Sequence, residues 1–178
     1  AAINAVNAHP ESEGNWTILV YPGVYAEAIT LGARKFIEIQ GVARDSVVID
    51  PRQNANQYGN GLTFAGGQTG TVGYRVANLT IHTADSALDH GHAVVFNFDP
   101  QIDPPVLPEP NGIVFENVMV RIDGENSDGF LAMTTVVDVS LRGVTVRAPA
   151  FTSHMVNGGK IKRLSILNCD FLAIDGFV

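Results

Sequence analysis

A recurring pattern of one asparagine or glycine inside a short β-type segment constrains this sequence more than any other feature. Each copy places an apolar residue two positions before the asparagine or glycine and alternates apolar with polar residues after it. The pattern occurs in "IEIQGVA", "RVANLTI", "VFENVMV", "SLRGVTV" and "SILNCDF", centred on Gly41, Asn78, Asn117, Gly143 and Asn168. A repeat of this kind indicates an architecture in which similar units stack on one another.

The spacing of the repeat predicts the fold. The last two intervals, from Asn117 to Gly143 and from Gly143 to Asn168, are 26 and 25 residues. The two earlier intervals are 39 and 37 residues, and they contain turn-rich inserts of 13 residues (99–111) and nine residues (51–59). Without these inserts the period is about 25 residues throughout. Short strands at this period, with no helical periodicity between them, predict an all-β parallel β-helix of roughly 5–6 rungs.

The asparagines have a structural interpretation within such a coil. Rungs stack about 4.8 Å apart, so equivalent residues form columns, and an asparagine amide can bridge to the next rung. We expect Asn78, Asn117 and Asn168 to form such a ladder. The alternative is that these side chains bind a ligand.

The remaining organisation follows from the ends and the inserts. We expect a single domain over 1–178, with a short helix at about 1–9 that caps the first rung, because Ile3 and Val6 lie one helical turn apart. The proline-rich insert at about 99–111 predicts a stiff projecting arm. The last rung ends in the apolar stretch "AIDGFV" with no cap, which predicts a homo-oligomer or larger assembly through that rung and the 99–111 loop.

Composition excludes several classes of protein. A formal charge of -7 with only 11 lysines and arginines argues against a nucleic-acid surface. No apolar run reaches the length of about 18 residues that a membrane-spanning helix needs. The single cysteine, Cys169, excludes an internal disulfide.

The N-terminal half resembles a known family. The stretches "YPGVYAEAITL" and "FIEIQGVARDSVVID" are similar to the first rungs of pectin methylesterases, which belong to the pectin-lyase-like group of β-helices. The segment "GLTFAGGQTGTVGYRVANLTIHTADSALDHGHAVVF" is similar to the one that leads to the first catalytic glutamine of that family. The resemblance implies a right-handed single-stranded parallel β-helix and, as one possibility, a carbohydrate esterase.

The catalytic motifs of that family are degenerate in this chain. Where the family has a glutamine opening a "QAVA" strand, the sequence reads "HAVV" with His92, and the "QD" pair of the next rung reads Ser127-Asp128. Where the family has its nucleophilic aspartate, the sequence offers "FTSHMVNGG" with His154 and no carboxylate. The arginine that the family carries would lie beyond Val178. The candidate catalytic residues are therefore Asp128, His92 and His154.

Column counting gives a second argument for a site at these positions. Eleven residues after Asn78, Asn117 and Gly143 lie Asp89, Asp128 and His154, so these three could stack on adjacent rungs. We predict Asp89 as a ligand-binding residue on this basis, although strand matching instead places Gly91 or His92 next to Asp128. Adjacent carboxylates and an imidazole would form an acid/base arrangement. The alternative is that they are polar residues at turns.

Neither a metal site nor a cofactor is predicted. A set of polar residues invites a metal interpretation, but no second strand supplies ligands at a recognisable spacing. That set comprises His82, His90, His92, Asp85 and Asp89.

The loss of esterase residues, the uncapped end and the projecting arm favour a non-catalytic β-helix. We expect a structural or glycan-facing protein of an extracellular, virion or cell surface, with a polysaccharide as a possible partner. The alternative is an esterase of the pectin methylesterase type that acts on a polysaccharide.

Overall fold

The chain forms a coil of parallel strands. The computed structural model describes residues 2–8, 15–32, 36–53, 60–66, 73–84, 91–98, 112–123, 127–149, 154–157 and 161–174. A short helix, α1 (Ala2–Ala8), precedes the coil, and a 3-10 turn, Pro51–Gln53, follows one of the strands. Within these ranges, seventeen strands pair in three sheets, and all of their pairings are parallel.

The strands are distributed as follows. Sheet A contains β1 (Asn15–Val20), β4 (Phe36–Gly41), β7 (Gly73–Ala77), β10 (Ile113–Glu116), β13 (Val136–Arg142) and β16 (Ile161–Leu167). Sheet B contains β2 (Gly23–Tyr25), β5 (Val47–Ile49), β8 (Thr80–Thr83), β11 (Met119–Ile122), β14 (Thr145–Pro149) and β17 (Asp170–Ile174). Sheet C contains β3 (Ile29–Leu31), β6 (Leu62–Gly66), β9 (Val94–Phe98), β12 (Asp128–Ala132) and β15 (His154–Asn157).

Each turn of the chain adds one strand to each sheet in the order A, B, C. The described residues therefore contain five complete rungs and two strands of a sixth. The coil is a right-handed parallel β-helix with one short helix at its N-terminus, so the predicted fold class is confirmed. In α1, Val6 is buried and belongs to the same core as the first rungs.

The core lies inside the coil because alternate residues of each strand point inward. In β4, for example, Ile37 and Ile39 are buried between partly exposed neighbours. Aromatic rings link the middle rungs: the Phe64 and Phe96 rings stack on adjacent rungs with centroids 5.4 Å apart, and the Phe96 and Phe115 rings meet edge to face at 6.4 Å. Continuous apolar columns thus stabilise the stacking of one rung on the next.

The corner between sheets A and B explains the asparagine repeat. Asn78, Asn117, Gly143 and Asn168 adopt left-handed backbone conformations, with φ of 54°, 51°, 59° and 52°. Asparagine and glycine tolerate this region better than other residues do. The amide Nδ2 of Asn117 donates a hydrogen bond of 2.8 Å to Oδ1 of Asn78, which confirms the predicted ladder between these two residues.

Gly41 occupies the same column for a different reason. It is not among the residues with a positive φ, and it lies at the end of the extended strand β4. A Cβ atom at this position would lie 2.1 Å from the carbonyl oxygen of Asn78 on the next rung. Glycine is therefore required here by the close approach of two backbones.

Several predicted features fall wholly or partly outside the described residues. They are the proline-rich arm at 99–111, most of the 51–59 insert beyond its initial 3-10 turn, residues 175–178 of the terminal apolar stretch, and Asp85, Asp89 and His90. The last described rung, formed by β16 and β17, exposes apolar side chains, among them Leu164, Ile166 and Phe171. The described residues include no helix that is long and apolar enough to cross a bilayer.

Candidate functional site

A column of polar side chains lies where the strands of sheet C begin. Asp128 is the first residue of β12 and pairs in register with His154, the first residue of β15. On the other side, the pairing of β9 with β12 extends toward the N-terminal ends of both strands. The backbone N–H of Ala93 donates a hydrogen bond of 3.0 Å to the carbonyl oxygen of Asp128. His92 therefore lies beside Asp128, on the preceding rung. The three candidate catalytic residues are neighbours on successive rungs.

The carboxylate of Asp128 lies between the two imidazoles. Its Oδ1 is 3.1 Å from Nδ1 of His154, and its Oδ2 is 3.4 Å from Nδ1 of His92. Its side chain is only 7% exposed. A carboxylate buried to this extent needs hydrogen-bond partners, and the imidazole of His154 supplies one.

The two histidines make different use of Nδ1. In His92 this nitrogen accepts the backbone N–H of Asp128 at 3.1 Å. It then carries no proton, and the ring is the neutral tautomer with its hydrogen on Nε2. In His154 the described partner of Nδ1 is the carboxylate, and in the neutral tautomer whose Nδ1–H donates to Asp128 the other nitrogen, Nε2, is an acceptor.

The exposure of the histidines also differs. The side chain of His154 is 59% exposed, whereas that of His92 is 16% exposed. An aspartate that orients a histidine, with the second ring nitrogen accessible, is the arrangement of a general base. The chemistry available at this column is therefore proton transfer at Nε2 of His154.

Asn60 is a member of this column that the sequence did not reveal. Its Oδ1 accepts the backbone N–H of His92 at 3.0 Å, which fixes the chain at the start of β9. The signal that could have found it is the register of β6 with β9, in which residues 32 positions apart are partners. On the next rung the partners in sheet C are 36 residues apart, so the spacing does not repeat in the sequence.

Asp89 does not belong to the described part of the column. It lies in the segment 85–90, outside the described residues, and the position next to Asp128 is taken by His92. Counting 11 residues from Asn78 does not reach this position, because the chain between β8 and β9 is longer than the equivalent chain in the next rung. Strand matching, which pointed to Gly91 or His92, locates the neighbour of Asp128 better than counting does.

A second cluster joins three rungs on the outside of sheet B. Nε2 of His82 is 2.5 Å from Oδ2 of Asp123, and Arg52 Nη1 is 2.8 Å from the same oxygen. Arg52 also holds the buried carboxylate of Asp50 through Nε and Nη2, at 2.8 and 3.0 Å. His82 and His92 thus belong to different clusters.

The charge balance of this second cluster shifts two pKa values. Burial lowers the pKa of His82 and outweighs the opposing effect of Asp123. Burial raises the pKa of Asp123, but the hydrogen bond and charge of His82, together with Arg121 and Arg52, bring it below its usual value. Within the ranges that the structure describes, no three His, Cys, Asp or Glu side chains are grouped so as to hold a metal ion.

The strand pairings place the molecule in the class of right-handed parallel β-helices. No family model matches the sequence, and no curated protein shows a significant match. Among solved structures, the chain is similar to a pectin methylesterase from Yersinia enterocolitica, with 15% identity and a TM-score of 0.46. The match covers 94% of this chain and 64% of that chain, so this chain spans less than two thirds of that enzyme's length.

Proposed function

We propose that this chain is a non-catalytic β-helix that serves as a structural or glycan-facing part of an extracellular, virion or cell surface. The observation that carries the proposal is the make-up of the polar column on sheet C. Asp128 is its one buried carboxylate among the described residues, and it is flanked by His92 and His154 rather than by a second acid. Ester hydrolysis by the route that the family resemblance implies needs an aspartate nucleophile, and His154 stands in its place.

Assembly with other chains is part of the same proposal. The last described rung exposes apolar side chains in both of its sheets, including Leu164, Ile166 and Phe171 at 37%, 46% and 37%. Apolar exposure of this kind on consecutive strands favours contact with another surface. We include the 99–111 loop in the contact because five prolines in 13 residues make it stiff, and it would lose little entropy on docking.

The catalytic part of the proposal is tested with methyl-esterified polygalacturonate. We expect no methanol release above the uncatalysed rate, even at high protein concentration and over a range of pH. Sustained release that scales with protein concentration would contradict the proposal.

Light scattering after size exclusion tests the proposed assembly. We expect an oligomer, and a monomer at all concentrations would refute that part of the proposal.

A carbohydrate esterase is the second candidate, and one observation favours it. The Asp128–His154 contact leaves an exposed imidazole nitrogen that could remove a proton from a water molecule attacking an ester carbonyl. If methanol release is found, His154→Ala should abolish it. The matched control is His82→Gln, which alters a histidine of the second cluster and should leave the rate unchanged. Equal loss in both variants would indicate damage to the fold rather than a site at His154.

A further inference from the structure

The outer face of sheet A carries a groove that is separate from the polar column of sheet C. It has a volume of about 330 Å³ and lies across β10, β13 and β16. Its floor is formed by Val114, Ser140 and Ser165, which are in register on three successive rungs. Two rung spacings extend over about 10 Å, and the volume is within the range of small-molecule sites.

The groove exists because the side chains in this column become shorter along the coil. On earlier rungs the same column holds Glu38 and Arg75, which form an ion pair and cover the sheet. From Val114 onward the side chains are short, so the surface is open and two hydroxyl groups line it. A ligand can therefore approach the strands at this place.

One wall of the groove has an unusual backbone. Asp138 and Arg163 lie next to each other on β13 and β16, and both adopt left-handed conformations, with φ of 59° and 61°. Such conformations are costly for residues with side chains, and they are found preferentially at binding sites. The two side chains form a bidentate ion pair, so this wall is polar but close to neutral and is held in one geometry.

The opposite wall carries a positively charged side chain. Arg142 is exposed, and its Nε donates to Oγ of Ser140 at 3.1 Å, which fixes the guanidinium beside the floor. The carboxylate paired with it in register, Glu116, is bound instead by Nη2 of Arg75 at 2.9 Å. Among the described carboxylates none forms an ion pair with Arg142.

We propose that this groove binds an acidic saccharide, whose carboxylate or sulfate group is held by Arg142 and whose hydroxyl groups contact Ser140, Ser165 and the Asp138–Arg163 wall. A fixed guanidinium is suited to a planar or tetrahedral oxyanion. Neighbouring hydroxyl and carboxylate groups are suited to a hydroxyl-rich chain. The inference rests on the proposed glycan-facing function and assigns that function to the outer face of sheet A.

The test is a titration of the whole chain with three saccharides: tetragalacturonate, a heparin-derived sulfated tetrasaccharide and neutral cellotetraose. We expect binding of at least one acidic saccharide, weaker at high salt, and no comparable binding of cellotetraose. Comparison of tetragalacturonate with the heparin-derived tetrasaccharide distinguishes a uronate ligand from a sulfated one. Arg142→Gln should weaken binding about tenfold or more, as expected for loss of a charge-assisted hydrogen bond.

Two further variants separate the groove from a general charge effect. Arg147→Gln removes an exposed guanidinium from sheet B and should leave the affinity unchanged. Ser165→Tyr fills the groove without altering any charge and should abolish binding. Thermal unfolding of each variant verifies that the coil is intact.

Each outcome decides the proposal. It is overturned if no acidic saccharide binds, if cellotetraose binds equally well, or if Arg142→Gln and Arg147→Gln bind like the unmodified chain. Acidic saccharide binding that survives both Arg142→Gln and Ser165→Tyr would overturn the groove and leave the glycan-facing function standing. Absence of binding to all three saccharides would count against the glycan-facing role as well.

Discussion

Asn117 combines two roles at one position, and they can be separated by substitution. Its backbone is left-handed, and its side chain bonds Asn78 on the adjacent rung. Asn117→Ala and Asn117→Gly lose the same side-chain contacts, but only alanine is strained at positive φ. We expect the alanine variant to be less stable than the glycine variant by about 1 kcal/mol in urea unfolding. Equal stabilities would mean that the corner does not depend on the left-handed conformation.

His82 makes the stability of the fold depend on pH. Its pKa is lowered in the folded chain because the ring is buried, so the unfolded chain binds more protons once the pH falls below about 6.5. Stability contributed by neutral His82 is therefore present above that pH and is lost as the pH falls toward the folded pKa. Asp123, whose pKa is also lowered, acts in the same direction at lower pH, below its ordinary value of 3.8.

The measurement compares unfolding midpoints in urea at neutral pH and at a pH between 5 and 6, a window chosen from the ordinary histidine pKa of about 6.5. We expect the unmodified chain to lose stability on acidification and His82→Gln to lose less, although the variant starts from a lower value. His154→Gln is the control, because that histidine is exposed. If His82→Gln loses as much stability as the unmodified chain, another group is responsible.

At the scale of the strand, the left-handed backbone of Asp138 in β13 depends on a glycine one rung away. A Cβ atom on Gly112 would lie 2.0 Å from the carbonyl oxygen of Asp138, and a backbone atom cannot move aside easily. We expect Gly112→Ala to cost about 1–3 kcal/mol, as other overpacked sites do. Gly23→Ala is the control, because its nearest contact would be an ordinary 3.6 Å. Similar stabilities for the two variants would show that the backbone at Asp138 can relax.

The elements differ in how well the sequence predicts them. The corners were predictable because a left-handed backbone selects asparagine or glycine, and the repeat of Asn78, Asn117, Gly143 and Asn168 marks them directly. The left-handed backbone at Asp138 and Arg163 leaves no such signature, since arginine is not typical of that conformation and the residue type does not recur from rung to rung. The neighbour of Asp128 was predictable only by matching strands, because contacts between rungs depend on loop lengths that vary from turn to turn.

At the scale of the whole molecule, stability is expected to be concentrated in the middle of the coil. A coiled repeat is stabilised mainly by contacts between neighbouring rungs. The described aromatic contacts link Phe64, Tyr74, Phe96, Phe115 and Phe130, which lie on the second, third and fourth rungs. In the sixth rung, by contrast, Phe171 is 37% exposed.

Two substitutions of the same kind test this gradient. Phe115 is fully buried and contacts three other aromatic rings, so Phe115→Ala should cost about 3–5 kcal/mol through lost burial and a cavity. Phe171→Ala removes the same side chain where it is already partly exposed on the last described rung, and it should cost about 1 kcal/mol, the centre of the range for single substitutions. Urea unfolding gives both values, and hydrogen exchange of the backbone amides locates the effect. We expect slow exchange in β7 and β10 and faster exchange in β16, since β16 is an edge strand of sheet A in the described residues and pairs on one side only. The two variants could instead lose similar free energies of unfolding, with uniform amide exchange along the coil. That result would mean that the rungs unfold as one unit and that the last rung is covered as well as the middle ones.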